Sequence, residues 1–526
     1  MILVLALDGL DPDLLERFRG EGRMRALDAI ATRGWAGRLR STFPPVSVPA
    51  WSTFLTGVGP GRHGLFDFTR LEGDRIRFQN AGDRGVPTLL ELADAGGRRV
   101  CSLGVPTTYP VPALQHGAVL AGFDSPFTGA PDGRAQTPPA LWRRLRRRGV
   151  DLRTSTVPEG RKGRSWHRRA ARGILASIDR RVEQALAVLR EGDWDLLLVH
   201  FQAADTAGHH FLRYADPASP RYDGSSADRA RVLPEVYDAL DGAVTRLGDA
   251  CAASDLIVLS DHGMGPASAR LCYLNRWLEE QGYLVRRPAS TDWAGRLRRG
   301  AIRGLPRELQ ARVFRWLREG PVSSLESASR IGSLDLARSA AFSDESSTLP
   351  GIWVLEPSCR DELVRRLRRW EAVRRVYYRD DLYRGPLRRR APDLLLDLRH
   401  SPARTPPAYA GPSLRSLADD ELDGERGAGL NGAHRPEGVI LVRGKGFPGS
   451  GQLRSPWIGD LAPTLLAHLG LAIPAWMEGQ PLEMLGTTPR WANGVADTPP
   501  SLRAAEMTQA EQADLEQRLR ALGYLG

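Results

Sequence analysis

The chain has 526 residues and a mass of 57.8 kDa, too long for one ordinary core and suited to a large core with a satellite, or to two to four domains. Hydrophobic residues at 42% and charged residues at 26% exclude a disordered or fibrous chain, and no apolar run reaches the ~18 residues that a membrane helix needs. The formal charge is +11 with a pI near 9.9, but only Lys162 and Lys445 are lysines among 73 basic residues, so the excess reads as a codon bias toward arginine and argues against a nucleic-acid surface.

In chain order, residues 2–7 (ILVLAL) predict a short buried strand of a parallel sheet, ending at Asp8 and Gly9. Residues 98–103 repeat the pattern and end in Gly104. Residues 194–201 (WDLLLVHF) repeat it again and run into Asp205; residues 256–260 (LIVLS) run into Asp261, His262 and Gly263. Helical patterns lie between, at 12–33, 86–95, 166–190 and 228–249. Strands alternating with helices imply an α/β fold, a mostly parallel central sheet flanked by helices with right-handed crossovers. Ligands then sit outside the carboxyl ends of the strands.

Residues 127–165 read as a surface excursion with a short helix near 139–147, and 276–335 as several short arginine-rich helices. Strands are expected over 338–355 and 392–398, with a helix at 360–375 between them. A long loop is expected at 401–432, a helix at 460–470 capped by Asp460, and an amphipathic helix at 501–524. The division that follows is a discontinuous catalytic domain, 1–265 and 336–490, with an inserted helical cap at 266–335 and a C-terminal linker and helix at 491–526. No secretory signal pattern is read at the start of the chain. The four cysteines, Cys101, Cys251, Cys272 and Cys359, are spaced like neither a disulfide framework nor a thiolate metal site, which sets a reduced, cytoplasmic compartment as the expectation.

Acidic and histidine residues gather at the strand ends: Asp8, Asp205, His209, Asp261 and His262, joined by His434 in the polar loop NGAHRPEG. A single Asp after a strand is more often a helix cap than a ligand. Asp205 and His209, four apart, share one side of a helical turn. Asp261 and His262 are adjacent and can both face one ion only from a tight turn, which Gly263 and Gly265 permit. Three carboxylates and three imidazoles are the donors that borderline and hard divalent ions take, and their number suits two ions, which would clamp the attacking and leaving oxygens of a phosphoryl transfer. The segment STFPPVSVPAWSTFLTG (41–57) supplies a nucleophile. Ser47 reads as an N-cap before Pro49, at a helix end whose free amides suit a bound phosphate; Thr42, Ser52 and Thr53 compete for the role.

These segments resemble the alkaline phosphatase superfamily, and within it the type I phosphodiesterase and nucleotide pyrophosphatase family, in its bacterial and archaeal phosphohydrolase or phosphomutase branch. The resemblance rests on LALDGLD (5–11), PPVSVPAWSTFLTG (44–57), HFQAADTAGHH (200–210), LSDHGMG (259–265), NGAHRPEGVIL (431–441) and GDLAPTLLAHLGL (459–471), in the family's order. It implies Ser47 as nucleophile, with Asp8, Ser47, Asp261 and His262 around a first metal ion and Asp205, His209 and His434 around a second. It also implies two in-line displacements through a phosphoserine. The ions are expected to be zinc, with manganese or iron as alternatives. Ala50 stands where nucleotide pyrophosphatases place an asparagine, and Trp51 and Tyr109 are candidates for stacking a nucleotide base. His63, His210 and Arg435 are candidates for assisting the chemistry.

The expected activity is therefore hydrolysis of a small phosphate ester, a diester first, with phosphomonoesterase, phosphomutase or nucleotide pyrophosphatase activity as alternatives. The sequence sets no oligomeric state.

Overall fold

The computed structural model describes residues 1–125, 133–154, 165–251, 255–287, 330–422, 430–492, 507 and 509–522. Its centre is a mixed sheet of nine described strands: β1 (Ile2–Leu7), β2 (Trp35–Arg40), β3 (Val100–Leu103), β4 (Ala118–Leu120), β5 (Gln136–Thr137), β6 (Leu196–Phe201), β7 (Asp255–Leu259), β8 (Glu437–Arg443) and β9 (Gly451–Gln452). Their spatial order is β9-β2-β8-β7-β1-β6-β3-β4-β5.

The four strands expected from apolar runs lie side by side and parallel. β1 pairs with β6 in the register Val4↔Leu198 and with β7 in the register Val4↔Ile257, and β6 pairs with β3. β1 is buried along its whole length because both sheet faces are covered. The period of two sorts its side chains: Leu3, Leu5 and Leu7 enter the core under the helices 166–189, 203–215 and 232–250. Ile2, Val4 and Ala6 enter the opposite core, against the helices 47–56, 89–95 and 461–468.

The parallel order breaks at β8, which runs antiparallel to both β7 and β2. Helical expectations hold at 139–147, 166–189 and 89–95, the last opened by a capping box between Thr88 and Glu91. The helix expected over 12–33 is two, Pro12–Gly20 and Arg25–Arg33. Between them Gly22 and Met24 take left-handed backbone angles, which ends the first helix and turns the chain.

The helix expected over 360–375 stops at Arg369, and Val373–Tyr378 is a strand. The strand expected over 338–355 is two short pieces, Ala341–Phe342 and Gly351–Val354. With Val373–Tyr378 and Leu394–Leu398 they form a separate four-stranded sheet, whose core is completed by Leu274, Trp277 and Leu278. The expected loop at 401–432 contains short strands at 401–402 and 414–416, which flank the strand Arg270–Cys272. Most of the expected cap, 288–329, lies outside the described residues, as do 155–164 and most of the 491–508 segment. The C-terminal helix Gln509–Leu522 packs back on the body: Leu515, Leu519 and Leu522 join the main core and Arg518 donates to the carbonyl oxygens of Phe123 and Ser125. Among the described residues no helix is long and apolar enough to cross a membrane.

Candidate functional site

The carboxyl ends of β1, β6 and β7 adjoin, so whatever follows each strand meets its neighbours. After β1, Asp8 turns at Gly9, whose backbone is left-handed (φ 69°) and lies so close to Asp205 that a Cβ there would sit 2.7 Å from its Cα. Only glycine serves both needs. The Asp205 amide donates to the Asp8 carbonyl at 3.0 Å, locking the start of the helix Ala203–Ala215 onto the β1 end. That helix carries Asp205 and His209 on one face. After β7, Asp261 and His262 precede a strand, Gly263–Pro266, that pairs antiparallel with Gly432–Arg435 in the register Met264↔His434. That pairing delivers His434 to residues far away in sequence.

The seven expected residues converge. Asp205 Oδ1, His209 Nε2 and His434 Nε2 form a triangle with edges of 3.2, 3.2 and 3.0 Å. His262 Nε2 lies 3.5 Å from Asp8 Oδ1 and 3.3 Å from Asp261 Oδ2, and 3.3 Å from Ser47 Oγ. The His262 and His434 rings stack at 3.7 Å. All seven are buried except His434, which is partly open. Two groups have ligand geometry for an ion, Asp8, Asp261 and His262 in one and Asp205, His262 and His434 in the other. His262 thus stands between two clusters that the sequence kept apart.

The donors fit divalent ions. Ligand atoms ~2.0–2.1 Å from a tetrahedral zinc are ~3.3 Å from each other, close to the separations here. Each imidazole gives its Nδ1–H to a backbone carbonyl: His209 to Gly432 at 3.0 Å, His262 to Gly263 at 3.0 Å and His434 to Pro45 at 2.8 Å. A carbonyl only accepts, so Nδ1 carries the proton and each Nε2 turns to the cluster, the usual outer support of a metal-ligating histidine. Asp8 Oδ1 and Asp261 Oδ2 are buried and accept no hydrogen bond, an arrangement that a cation satisfies.

The electrostatics agree. Burial, then the charges of Asp8 and Asp205, pushes the Asp261 carboxyl well up. Burial and His434 push His262 down to about 4. Burial would raise Asp205, but His209 and His434 more than reverse it and hold its carboxyl well below the usual range. Three carboxylates this close repel one another unless positive charge joins them.

Ser47 is the first residue of the helix Ser47–Thr56 and not its cap; Val46 holds the cap position and no side chain caps the end. The Ser47 hydroxyl is thereby left for the cluster. Its competitors are engaged elsewhere: Thr42 donates to the Pro44 carbonyl, Ser52 to the Val48 carbonyl, and Thr53 meets His63. Asp460, expected as a cap for 461–468, makes no capping bond to that helix and instead accepts from the Trp457 and Gln480 amides.

Other expectations fall. Trp51 and Tyr109 are buried, at 0% and 1% exposure, and neither can stack on a base. Trp51 instead donates its indole N–H to Asp8 Oδ2 at 3.0 Å, and Tyr109 binds Glu511. His63 accepts from the Leu65 amide and His210 packs on Trp166. Arg435 donates to the Pro266 carbonyl. The sequence reading missed His200, whose Nε2 bonds Asp8 Oδ2 at 2.9 Å. Trp51 and His200 together fix one Asp8 oxygen and leave the other to the cluster. Its signal was available: in a strand, His200 points to the opposite face from Val199 and shares the face of Leu198, beside Ala6 in the register of β1.

Residues 2–400 match the family model described as type I phosphodiesterase / nucleotide pyrophosphatase. His434 lies beyond the matched segment and reaches the site by strand pairing. Among solved structures, the chain is similar to the phosphonoacetate hydrolase of Sinorhizobium meliloti 1021 bound to phosphonoformate, at 15% identity and a TM-score of 0.54, covering 89% of this chain and 95% of that one. The same hydrolase bound to phosphonoacetate gives 15% and 0.52, with the same coverage. Murine ectonucleotide pyrophosphatase / phosphodiesterase 5 gives 13% and 0.49, covering 90% and 95%. No curated protein matches the sequence. The cytoplasmic location expected from the cysteines does not stand: a small number of widely spaced free cysteines is no guide to compartment. The matched family and the paired donor clusters lead to one conclusion: the chain belongs to the type I phosphodiesterase / nucleotide pyrophosphatase family of alkaline-phosphatase-like proteins and is a metal-associated phosphoester hydrolase.

Proposed function

We propose that this enzyme is a phosphodiesterase acting through a phosphoserine on Ser47, with two divalent ions, zinc or, with the same donors, manganese or iron. The observation that carries the proposal is the gathering of three carbonyl-anchored imidazoles and three buried carboxylates in two adjoining clusters, with a serine hydroxyl 3.3 Å from the His262 that they share. Asp8, Asp261 and His262, with Ser47 beside them, would hold one ion, and Asp205, His209 and His434 the other. Bound there, the ions would supply the positive charge that favours the serine alkoxide, the attacked phosphoryl group and the departing oxygen.

The chain's own residues do the rest. Ser47 Oγ forms a bond to phosphorus as the ester oxygen leaves and takes up a proton, and water then cleaves the phosphoserine in a second in-line displacement. The amides of Ser47 and Val48, in the first helical turn, have no intrahelical acceptor and are free for phosphoryl oxygens; Pro49 offers none. Trp51 and His200 keep Asp8 in one orientation. The His262 ring is held by its bond to the Gly263 carbonyl and by its stacking on His434.

A diester carries one negative charge, and these groups suffice for it. A monoester dianion asks for a further cation; Arg435, a candidate for that role, gives one N–H to the Pro266 carbonyl. Ala50, and the burial of Trp51 and Tyr109, weigh against a nucleotide as the group recognised. The test is the ratio of kcat/KM for an aryl diester and an aryl monoester with the same leaving group, measured on metal-loaded protein. A ratio above one is expected. A ratio clearly below one transfers the enzyme to the phosphomonoesterase or phosphomutase class.

A further inference from the structure

His200, which bonds Asp8, also lines a second space. At the carboxyl ends of β3 and β6, under the helix Trp166–Leu189, lies a small open-mouthed cavity. Its wall carries Arg153, Arg180, Arg181, Gln184, His200 and Gln202. None of these is among the seven residues of the metal site.

Within the wall, Arg181 is a buried cation with no counter-charge among the described residues. Asp151 pairs with both Arg153, at 2.7 Å, and Arg180, at 3.1 Å, so one carboxylate serves two guanidiniums. Arg181 is 8% exposed and has no carboxylate partner among the described residues. Its guanidinium lies flat against Gly104, where a Cβ would collide with it. Its hydrogen bond there is to a neutral amide, Gln184 Oε1, at 2.8 Å. Burial and the neighbouring Arg180 push Arg181 down to about 9, the mark of a cation lacking a counter-charge. Gln202 is 6% exposed, lines the same cavity, and among the described residues has no hydrogen-bond partner for either its amide nitrogen or its oxygen. Buried polar groups are nearly always satisfied. An anion with several acceptor oxygens would satisfy both the Arg181 fork and the Gln202 amide nitrogen.

We propose that this cavity is a binding site for a small oxyanion, a phosphate or carboxylate group, held by Arg181 and Gln202 with Arg180 and Arg153 toward the mouth. The group is either a free anion or a second acidic group of the substrate. Because His200 forms part of the wall and bonds Asp8, occupancy acts on the orientation of Asp8.

Equilibrium dialysis of labelled inorganic phosphate against metal-loaded and chelated full-length protein tests the site, since chelation disables phosphate binding at the metal centre. The chelated chain is expected to retain one phosphate, and Arg181→Gln and Gln202→Leu each to weaken it about tenfold or more, the size of a lost charge-assisted hydrogen bond. Arg153→Gln, at an exposed side chain (66%) that the fold does not need, is expected to weaken it severalfold. Melting temperatures report that each variant is folded. No phosphate retained at millimolar concentration, or wild-type affinity in all three variants, overturns the proposal. Turnover by metal-loaded protein separates the two sources. A phosphate-dependent change in hydrolysis of bis-nitrophenyl phosphate that Arg181→Gln abolishes identifies a free anion. A KM advantage for a carboxylate-tailed aryl diester that the same variant abolishes identifies the substrate's own group. Failure of the diester-to-monoester test would leave the dialysis result standing, because it needs no turnover.

Discussion

Replacing Ser47 by alanine separates chemistry from stability. The hydroxyl has one close polar partner, His262 Nε2 at 3.3 Å, and makes no helix-capping bond. A typical net hydrogen bond contributes ~1 kcal/mol, and a contact this long contributes no more. Unfolding entropy of ~2.1 cal/mol/K per residue amounts to roughly 1.1 kcal/mol/K for this chain length, so the melting temperature falls by about 1 °C or less. The methyl that remains still fills most of a fully buried position. Turnover falls far more, on the order of 10⁴- to 10⁶-fold, as when a covalent nucleophile is deleted. The assay is kcat on an aryl diester, with calorimetry and metal content measured on the same preparation and acid-quench trapping of labelled phosphoenzyme. Activity within tenfold of wild type at normal metal content would refute the nucleophile assignment. A drop of several degrees in melting temperature would show instead that the hydroxyl supports the fold.

Chelation should abolish hydrolysis and lower the melting temperature by about 4 °C for each ion removed, since a ligand at a thousand times its Kd adds ~4 kcal/mol; restoration by zinc, manganese or iron ranks the metals, and an unchanged melting curve speaks against ion sites in the cluster. His200→Phe leaves Asp8 Oδ2 with the Trp51 indole alone, so metal affinity or kcat is expected to fall about 10- to 100-fold, and no change in either would show that Trp51 suffices. Asp124 is half-buried, with Oδ1 unpartnered among the described residues and Oδ2 accepting from the Thr107 amide, and the desolvation of its carboxyl pushes it up to about 6. A raised carboxyl binds its proton more tightly when folded, so its stabilising contribution is full below pH ~4 and is lost as pH rises to ~6. Asp124→Asn should therefore match wild type near pH 4 and exceed it by up to about 3 kcal/mol above pH 6; parallel melting curves from pH 4 to 8 would contradict this.

The sequence by itself determined the elements whose signal is local. Apolar runs such as 2–7 and 196–201 are buried on both faces, so burial needs no partner-specific code and the run alone declares a central strand. The acidic residues past those strands, and the four-residue spacing of Asp205 and His209, are equally local. Strands β2 (WAGRLR) and β8 (EGVILVR) were not assigned from local pattern: β2 alternates buried and exposed positions with arginines at its end, and β8 breaks the parallel order.

The motifs already named the seven site residues; tertiary structure decided how they meet and what supports them. His434 reaches it because Gly432–Arg435 pairs with Gly263–Pro266, a contact set by backbone groups that carry no residue code. The same holds for the carbonyls of Gly432, Gly263 and Pro45 that orient three imidazoles: any residue presents a carbonyl. Local pattern left Ser47 in competition with Thr42, Ser52 and Thr53; the resemblance favoured Ser47, and the structure separates the four physically by where their hydroxyls point once the helix starts at Ser47. Trp51 and His200 look in the sequence like core or stacking residues, and become supports of Asp8 only when the helix 47–56 lies over β1 and β6. Residue type restricts which chemistry a side chain can do; the long-range approach of backbone and side chain fixes which of them does it.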